Sequence, residues 1–224
     1  MKTYYGVNSN IEMNKKTKNG YTVYDWIVRQ KGIPSFCLRT ICGEDSITYE
    51  EIEFLKKKEC KIGLVIRDLK ETAISGVRGE KEALRAIYNL KSLNIESDKK
   101  IAIFAEINPN WSVNHNWMIS FAQTLSVNGY IPAFIANTDS SKNFNFDRQC
   151  SHFVIATSDV GQFGAIYCAT EPKLEKKPEM WTPFCPSAVE SRDINLWMCG
   201  LTKIDDIFVD DVYSKDLITL DNML

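Results

Sequence analysis

The chain has 224 residues, of which 44% are hydrophobic and 25% are charged, and its formal net charge is -2 at pH 7. This composition is typical of a globular protein that buries a sizeable core. The near-neutral charge argues against a nucleic-acid partner, which would require a basic face. No apolar stretch approaches the roughly 18 residues of a membrane span, so we expect no membrane insertion. We predict a single domain over residues 1–224.

The N-terminal segment and the cysteines and histidines indicate where the protein is made and whether it binds a metal or a cofactor. The first residues carry no apolar stretch of signal-peptide length, so we expect synthesis as a cytoplasmic protein. Seven cysteines, an odd count without a C-x-x-C spacing, indicate reduced thiols. Cys150-x-His152 lacks a third ligand, and His115 is predicted as a surface residue at the start of a helix. We therefore predict no metal and no cofactor.

Short apolar or β-branched runs recur along the chain. Most of them are nearly continuous rather than alternating, as expected for parallel strands that are buried on both faces. We predict eight strands, at residues 3–8, 35–40, 61–67, 100–106, 130–136, 152–156, 164–168 and 193–198.

Helical patterns separate the earlier strands. The second of them begins with the capping box Thr48-x-x-Glu51, and the fourth ends at Asn128-Gly129, a common stop signal. Apolar residues at helical spacing predict helices over 22–31, 48–58, 77–93 and 112–128. The acidic, mixed segment 203–224 is predicted as a final helix or turn packed over the barrel.

Strand, helix and strand at a spacing of roughly 30 residues is typical of repeated βαβ units. Eight strands favour a closed α/β structure, a TIM-type (β/α)8 barrel. The later connections are short, which predicts some irregularity in its second half. An open doubly wound sheet is the alternative, but no glycine-rich phosphate-binding loop follows any strand.

In such a barrel the functional residues lie at the carboxyl ends of the strands. Glu106 ends a very apolar strand and is the strongest candidate for a catalytic carboxyl group. The alternative is a structural glutamate paired with Arg39 or Arg67. Glycoside hydrolysis uses two carboxyl groups that flank one bond, and Asp68 and Asp193 are the candidate partners.

The candidate substrate-binding residues are polar side chains at predicted strand ends and tryptophans in loops. Tryptophan faces suit sugar rings, whereas Trp26, Trp117 and Trp197 are predicted to pack in the core. The candidates are Asn8, Arg39, Arg67, Asn108, Trp111, Asn137 and Trp181.

Five short motifs stand in a characteristic order. They are Tyr5-Gly6-Val7-Asn8, Phe36-x-x-Arg39, Ile103-Phe104-Ala105-Glu106, Gly129-Tyr130-x-Pro132 and Asp193-Ile194-Asn195. In this order and spacing the chain, over roughly residues 4 to 200, resembles the glycoside-hydrolase-like family known as domain of unknown function 1906. That family is related to the lysozyme-like glycoside hydrolases of family 25.

The resemblance implies a TIM-type barrel and a peptidoglycan-type glycan as the partner. It also implies that Glu106 matches the general-acid glutamate and that Asp193 matches the final aspartate. Two family carboxylates are replaced, one by Asn8 and one by Phe104. The resemblance therefore implies a glycoside hydrolase of impaired activity.

Three hypotheses follow. The first is a glycosidase acting on bacterial cell-wall or related glycans, with Glu106 as the acid and Asp193 or Asp68 as its partner. An enzyme of this kind would need release from the cytoplasm to reach the wall. The second is a non-catalytic glycan-binding barrel that uses Trp111 and Trp181. The third is an interaction protein without a glycan site.

Overall fold

The computed structural model describes residues 2–95, 100–158 and 164–224. Eight strands close into one barrel in the order β1 to β8. The strands are β1 Tyr4–Ser9, β2 Phe36–Thr40, β3 Lys61–Ile66, β4 Ala102–Glu106, β5 Ile131–Ala136, β6 Ile166–Ala169, β7 Ile194–Ile204 and β8 Ile207–Ser214. The helices are α1 Val23–Lys31, α2 Tyr49–Lys57, α3 Glu71–Ile74, α4 Glu80–Ser92, α5 His115–Val127, α6 Asn145–Ser158 and α7 Leu217–Asp221.

The predicted barrel is confirmed, and so is the irregularity of its second half. Neighbouring strands from β1 to β7 pair in parallel. Strand β8 is antiparallel to both β7 and β1, and it closes the ring between them. Strands β7 and β8 form a hairpin that extends beyond the barrel.

Two segments differ from the prediction. Residues 152–156 belong to α6 rather than to a strand, because Phe153 and Thr157 are buried on one helical face while Ile155 is exposed. That exposed isoleucine makes the segment look like a continuous apolar strand. Residues 207–214 form β8, although 203–224 is predicted as helix or turn. The two adjacent aspartates of β8 interrupt its apolar pattern.

The four predicted helices are present and carry the expected end signals. The side chains of Thr22 and Thr48 accept hydrogen bonds from the backbone amides of Asp25 and Glu51, and so cap α1 and α2. After α5 the chain turns at Gly129, whose φ of 85° lies in the left-handed region that glycine tolerates. Helices α2 and α5 lie against β3 and β5, the strands that follow them.

Inside the ring, side chains from alternate positions fill the barrel. Phe36 and Leu38 of β2, Val65 of β3 and Phe104 of β4 belong to this interior cluster. At the end opposite the mouth, the segment after α7 closes the barrel, where the amide of Ala102 donates to the carbonyl oxygen of Asn222 at 2.8 Å. Of the helices among the described residues, none has the length and apolarity to cross a membrane.

Candidate functional site

The candidate site is set by the two-residue period of the strands. Side chains two positions apart on a strand face the same side. Because Val65 and Phe104 point into the barrel, Arg67 and Glu106 point inward as well, one step nearer the carboxyl ends. The same step leads from Val212 to Asp210 on the antiparallel β8. The sequence therefore builds a polar layer above an apolar interior.

A chain of hydrogen bonds crosses this polar layer. Arg67 Nε donates to Glu106 Oε2 at 2.9 Å. Arg67 Nη2 donates to Asn8 Oδ1, and Asn8 Nδ2 donates to Asp210 Oδ2 at 3.1 Å. The residues come from β4, the end of β3, β1 and β8. Two carboxylates on opposite strands are thus connected through one guanidinium and one amide.

Arg67 is the central donor of these hydrogen bonds. Its Nη1 also donates to the carbonyl oxygen of Ser9 at 2.6 Å and to Thr40 Oγ1 at 2.9 Å. Burial lowers the pKa of the Arg67 guanidinium, while the Glu106 carboxylate acts in the opposite direction. Only 11% of its side chain is exposed, against 35% for Glu106. The arginine is therefore fixed in place, and the glutamate reaches the open space at the barrel mouth.

That space is a pocket of about 370 Å³ at the barrel mouth. Besides the two carboxylates it receives Glu171 and Lys173 from the loop after β6, and Trp111 from the loop after β4. The lining residues are Arg67, Glu106, Ile107, Asn108, Pro109, Trp111, Ile135, Asn137, Thr170, Glu171, Lys173, Met198 and Asp210. The pocket combines acidic groups, one lysine and one aromatic side chain, a set that suits a polar ligand with apolar faces.

Most of the predicted site residues meet at this pocket. Those that line it are Arg67, Glu106, Asn108, Trp111 and Asn137. Asn8 contacts it through its hydrogen bonds to Arg67 and Asp210. Arg67, one of the two structural partners predicted for Glu106, forms a salt bridge with it. The glutamate is therefore both paired and exposed to the pocket.

Arg39 does not reach the pocket, and its prediction as a substrate-binding residue is wrong. It points outward from β2, since Leu38 faces the barrel interior, and its side chain is 0% exposed. Arg39 Nε donates to Glu51 Oε1 at 2.6 Å, and its Nη2 donates to Glu51 Oε2 at 3.0 Å. It is a structural arginine between β2 and α2.

The two candidate partner carboxylates lie away from Glu106. Asp193 precedes β7, at the amino end of that strand, whereas the pocket lies at the carboxyl end of β4. The pairing of Glu106 with Asp193 across one bond is therefore wrong. Asp68 follows β3 on the mouth side, but it forms a salt bridge with Arg85 of α4. It lines a separate small cavity instead.

Trp181 also lies outside the pocket. It packs edge-on against Trp197, with ring centroids 5.8 Å apart. Phe104, at the position of a family carboxylate, is fully buried in the barrel interior.

Sequence reasoning missed Asp210, Glu171 and Lys173. Asp210 had a signal, because Phe208 to Ser214 is rich in β-branched and aromatic residues and only the two adjacent aspartates obscure the strand. An acidic residue on the inner face of a strand is a departure from pattern that often marks a site. Glu171 and Lys173 lie in an irregular loop, where the sequence offers no periodic signal.

Comparison with known proteins gave matches at the level of structure. No protein-family model matches the chain, and no curated protein matches it. An uncharacterized protein of B. stearothermophilus is similar over 99% of this chain and 100% of its own, with a TM-score of 0.80 and 21% identity. A Tat-secreted protein of Mycobacterium tuberculosis, in complex with HEPES, is similar over 95% and 94%, with a TM-score of 0.59 and 14% identity.

A third similar structure is a family 25 glycoside hydrolase, the lysozyme of Aspergillus fumigatus. It covers 98% of both chains, with a TM-score of 0.52 and 12% identity. The chain has a fold like that of family 25 glycoside hydrolases. At these identities the likeness concerns the fold alone, so the functional argument depends on the pocket.

Proposed function

We propose that the chain is a glycoside hydrolase that acts on cell-wall or related glycans, and that it belongs with the glycoside-hydrolase-like family named above. The observation that carries the proposal is that Glu106 and Asp210 face one pocket from β4 and β8, which lie on opposite sides of the eight-stranded ring. Two carboxyl groups on either side of a bound sugar are what glycoside hydrolysis requires. Asp210 takes the role that the sequence suggested for Asp193.

The contacts of Glu106 suggest separate roles for its two oxygens. Oε2 accepts the hydrogen bond from Arg67, which fixes the orientation of the carboxyl group. In the described part of the chain Oε1 accepts no hydrogen bond, so we assign it as the atom that delivers a proton to the glycosidic oxygen. We assign Asp210, held by Asn8 at 3.1 Å, as the second carboxylate, and Trp111 as the side chain that stacks on a sugar ring.

Binding without cleavage is the second candidate. It is favoured by the salt bridge between Arg67 and Glu106, because an ion pair at the pocket wall can hydrogen-bond sugar hydroxyl groups without taking part in a proton transfer. Asn8 favours it too, since an amide cannot serve as a carboxylate base. Either function on a cell wall requires that the protein leave the cytoplasm.

The test compares Glu106→Gln and Asp210→Asn with the wild-type protein and with Asp193→Asn as a matched control at the other end of the barrel. Reducing-end release from peptidoglycan and from chitooligosaccharides is measured, together with glycan binding by calorimetry. Circular dichroism verifies that each variant is folded. We expect release by the wild type and by Asp193→Asn, and a loss of roughly a hundredfold or more for each pocket variant.

The outcomes separate the candidates. Binding without release by the wild-type protein overturns the hydrolase and supports the binding barrel. Release that survives both pocket substitutions removes the assignment of the two carboxylates. Failure of every glycan to bind or to be cleaved overturns both candidates.

A further inference from the structure

The two histidines of the chain lie side by side on the outer surface of the barrel. His115 is the first residue of α5, and His152 lies within α6. Their ring centroids are 5.1 Å apart, with an angle of 39° between the ring planes. His115 is half-buried and His152 is exposed. Two imidazoles that are 37 positions apart in sequence are thus neighbours on the surface.

The tautomer of His115 is fixed by its surroundings. The side-chain oxygen Oε1 of Gln149 accepts a hydrogen bond from the backbone amide of His115 at 3.0 Å. The same oxygen lies 2.9 Å from Nδ1 of the His115 ring. An oxygen that only accepts requires Nδ1 to carry the hydrogen. The lone pair of the neutral ring is therefore on Nε2, the nitrogen that is left for a ligand.

The contact between Gln149 and His115 Nδ1 resembles the orienting hydrogen bond of metal-binding histidines. A ligating imidazole usually donates its other N–H to a fixed acceptor, which orients the ring. Gln149 and His152 are three positions apart on α6 and so share one face of that helix. The same helical face supplies both the orienting acceptor and the second imidazole.

The spacing also fits one shared ion. With metal–nitrogen bonds of about 2.1 Å and a roughly tetrahedral angle, two ligating imidazoles have ring centroids about 5 Å apart. The observed separation is 5.1 Å. We propose that His115 and His152 form a binding site for a divalent transition-metal ion of the Ni²⁺, Cu²⁺ or Zn²⁺ class, which imidazole ligands prefer.

The site is distinct from the mouth pocket and carries only two protein ligands. Across residues 2–95, 100–158 and 164–224, no group of three or more His, Cys, Asp or Glu side chains is placed to hold a metal. Water therefore completes the coordination. The prediction of no metal considered Cys150 and His152 as a pair on a strand. In the structure both residues lie on α6, where His152 lies beside His115 and Cys150 is fully buried.

The experiment titrates Ni²⁺ into the full chain without an affinity tag and follows the ring protons of histidine by NMR. With two histidines in the sequence, there are two sets of ring signals. A shared site broadens both together at substoichiometric Ni²⁺, and calorimetry gives one ion per chain. We expect His115→Asn and His152→Asn each to raise Kd at least about tenfold.

Two further variants test the orienting role of Gln149. Gln149→Glu keeps an acceptor beside Nδ1 and retains binding, whereas Gln149→Leu removes it and weakens binding by roughly tenfold, with both imidazoles still present. The double variant His115→Asn/His152→Asn measures any binding by thiols. The proposal is overturned if this double variant binds Ni²⁺ as tightly as the wild type, if the two ring signals respond independently, or if no binding occurs up to millimolar Ni²⁺.

Discussion

Two arginines near adjacent strand ends have opposite roles because of the direction in which they point. Arg67 shares the inward direction of Val65, so it meets Asn8 and Glu106 at the mouth. Arg39 points outward and pairs with Glu51 under α2. Side chains alternate between the two faces of a strand, so Phe36 and Leu38 in the interior of the barrel require Arg39 to point outward. Strand direction, applied residue by residue, would have removed Arg39 from the candidate site.

The buried pair makes a stability prediction. Arg39→Ala leaves the Glu51 carboxylate buried without its partner, since both side chains are 0% exposed. We expect the free energy of unfolding to fall by about 3–5 kcal/mol, measured by urea denaturation.

The matched control is Lys56→Ala, which breaks the exposed pair with Glu53. That substitution should cost about 0.5 kcal/mol or less. A loss for Arg39→Ala as small as that of the control would show that the buried pair is not a structural requirement.

At the scale of elements, the first seven strands and the four predicted helices follow from sequence pattern, because each has a clear apolar run or an amphipathic face. Helix α6 and strand β8 do not. In α6 the exposed Ile155 breaks the expected polar face, and in β8 Asp210 and Asp211 break the apolar run. Asp211 is explained by its partners, the hydroxyl of Tyr5 at 3.0 Å and that of Thr202 at 2.8 Å. Tertiary contacts of this kind cannot be read from a local pattern.

The contact between α4 and α5 depends on one glycine. A Cβ atom at Gly79, which precedes α4, would overlap the carbonyl oxygen of Trp117 and lie 2.5 Å from the backbone nitrogen of Phe121. Because backbone atoms of a packed helix cannot move aside cheaply, we expect Gly79→Ala to lower the free energy of unfolding by about 1–3 kcal/mol.

Gly164→Ala is the control, since a Cβ there would meet no atom of residues 2–95, 100–158 or 164–224 within 4 Å. Thermal denaturation followed by circular dichroism compares the two variants. Equal melting temperatures for both would mean that α4 and α5 tolerate a wider separation than the structure shows.

For the whole molecule, the closed ring of strand pairs predicts cooperative unfolding. No strand of the barrel can leave without breaking ladders on both sides. Tryptophan fluorescence reports on α1, α5 and β7 through Trp26, Trp117 and Trp197, whereas far-ultraviolet circular dichroism reports on all helices and strands. We expect the two signals to follow one urea transition. Two separated transitions would contradict the prediction of a single domain over residues 1–224.

The antiparallel seam between β1 and β8 has a consequence for synthesis. Tyr4–Ser9 and Ile207–Ser214 are hydrogen-bonded neighbours, yet the ribosome makes them about 200 residues apart, an interval of roughly 10–40 s at 5–20 residues per second. Throughout that interval one edge of β1 has no partner. An unpaired strand edge is a template for association with other chains. We therefore expect nascent chains of this protein to associate through the unpaired edge of β1 unless that edge is shielded until β8 emerges from the exit tunnel.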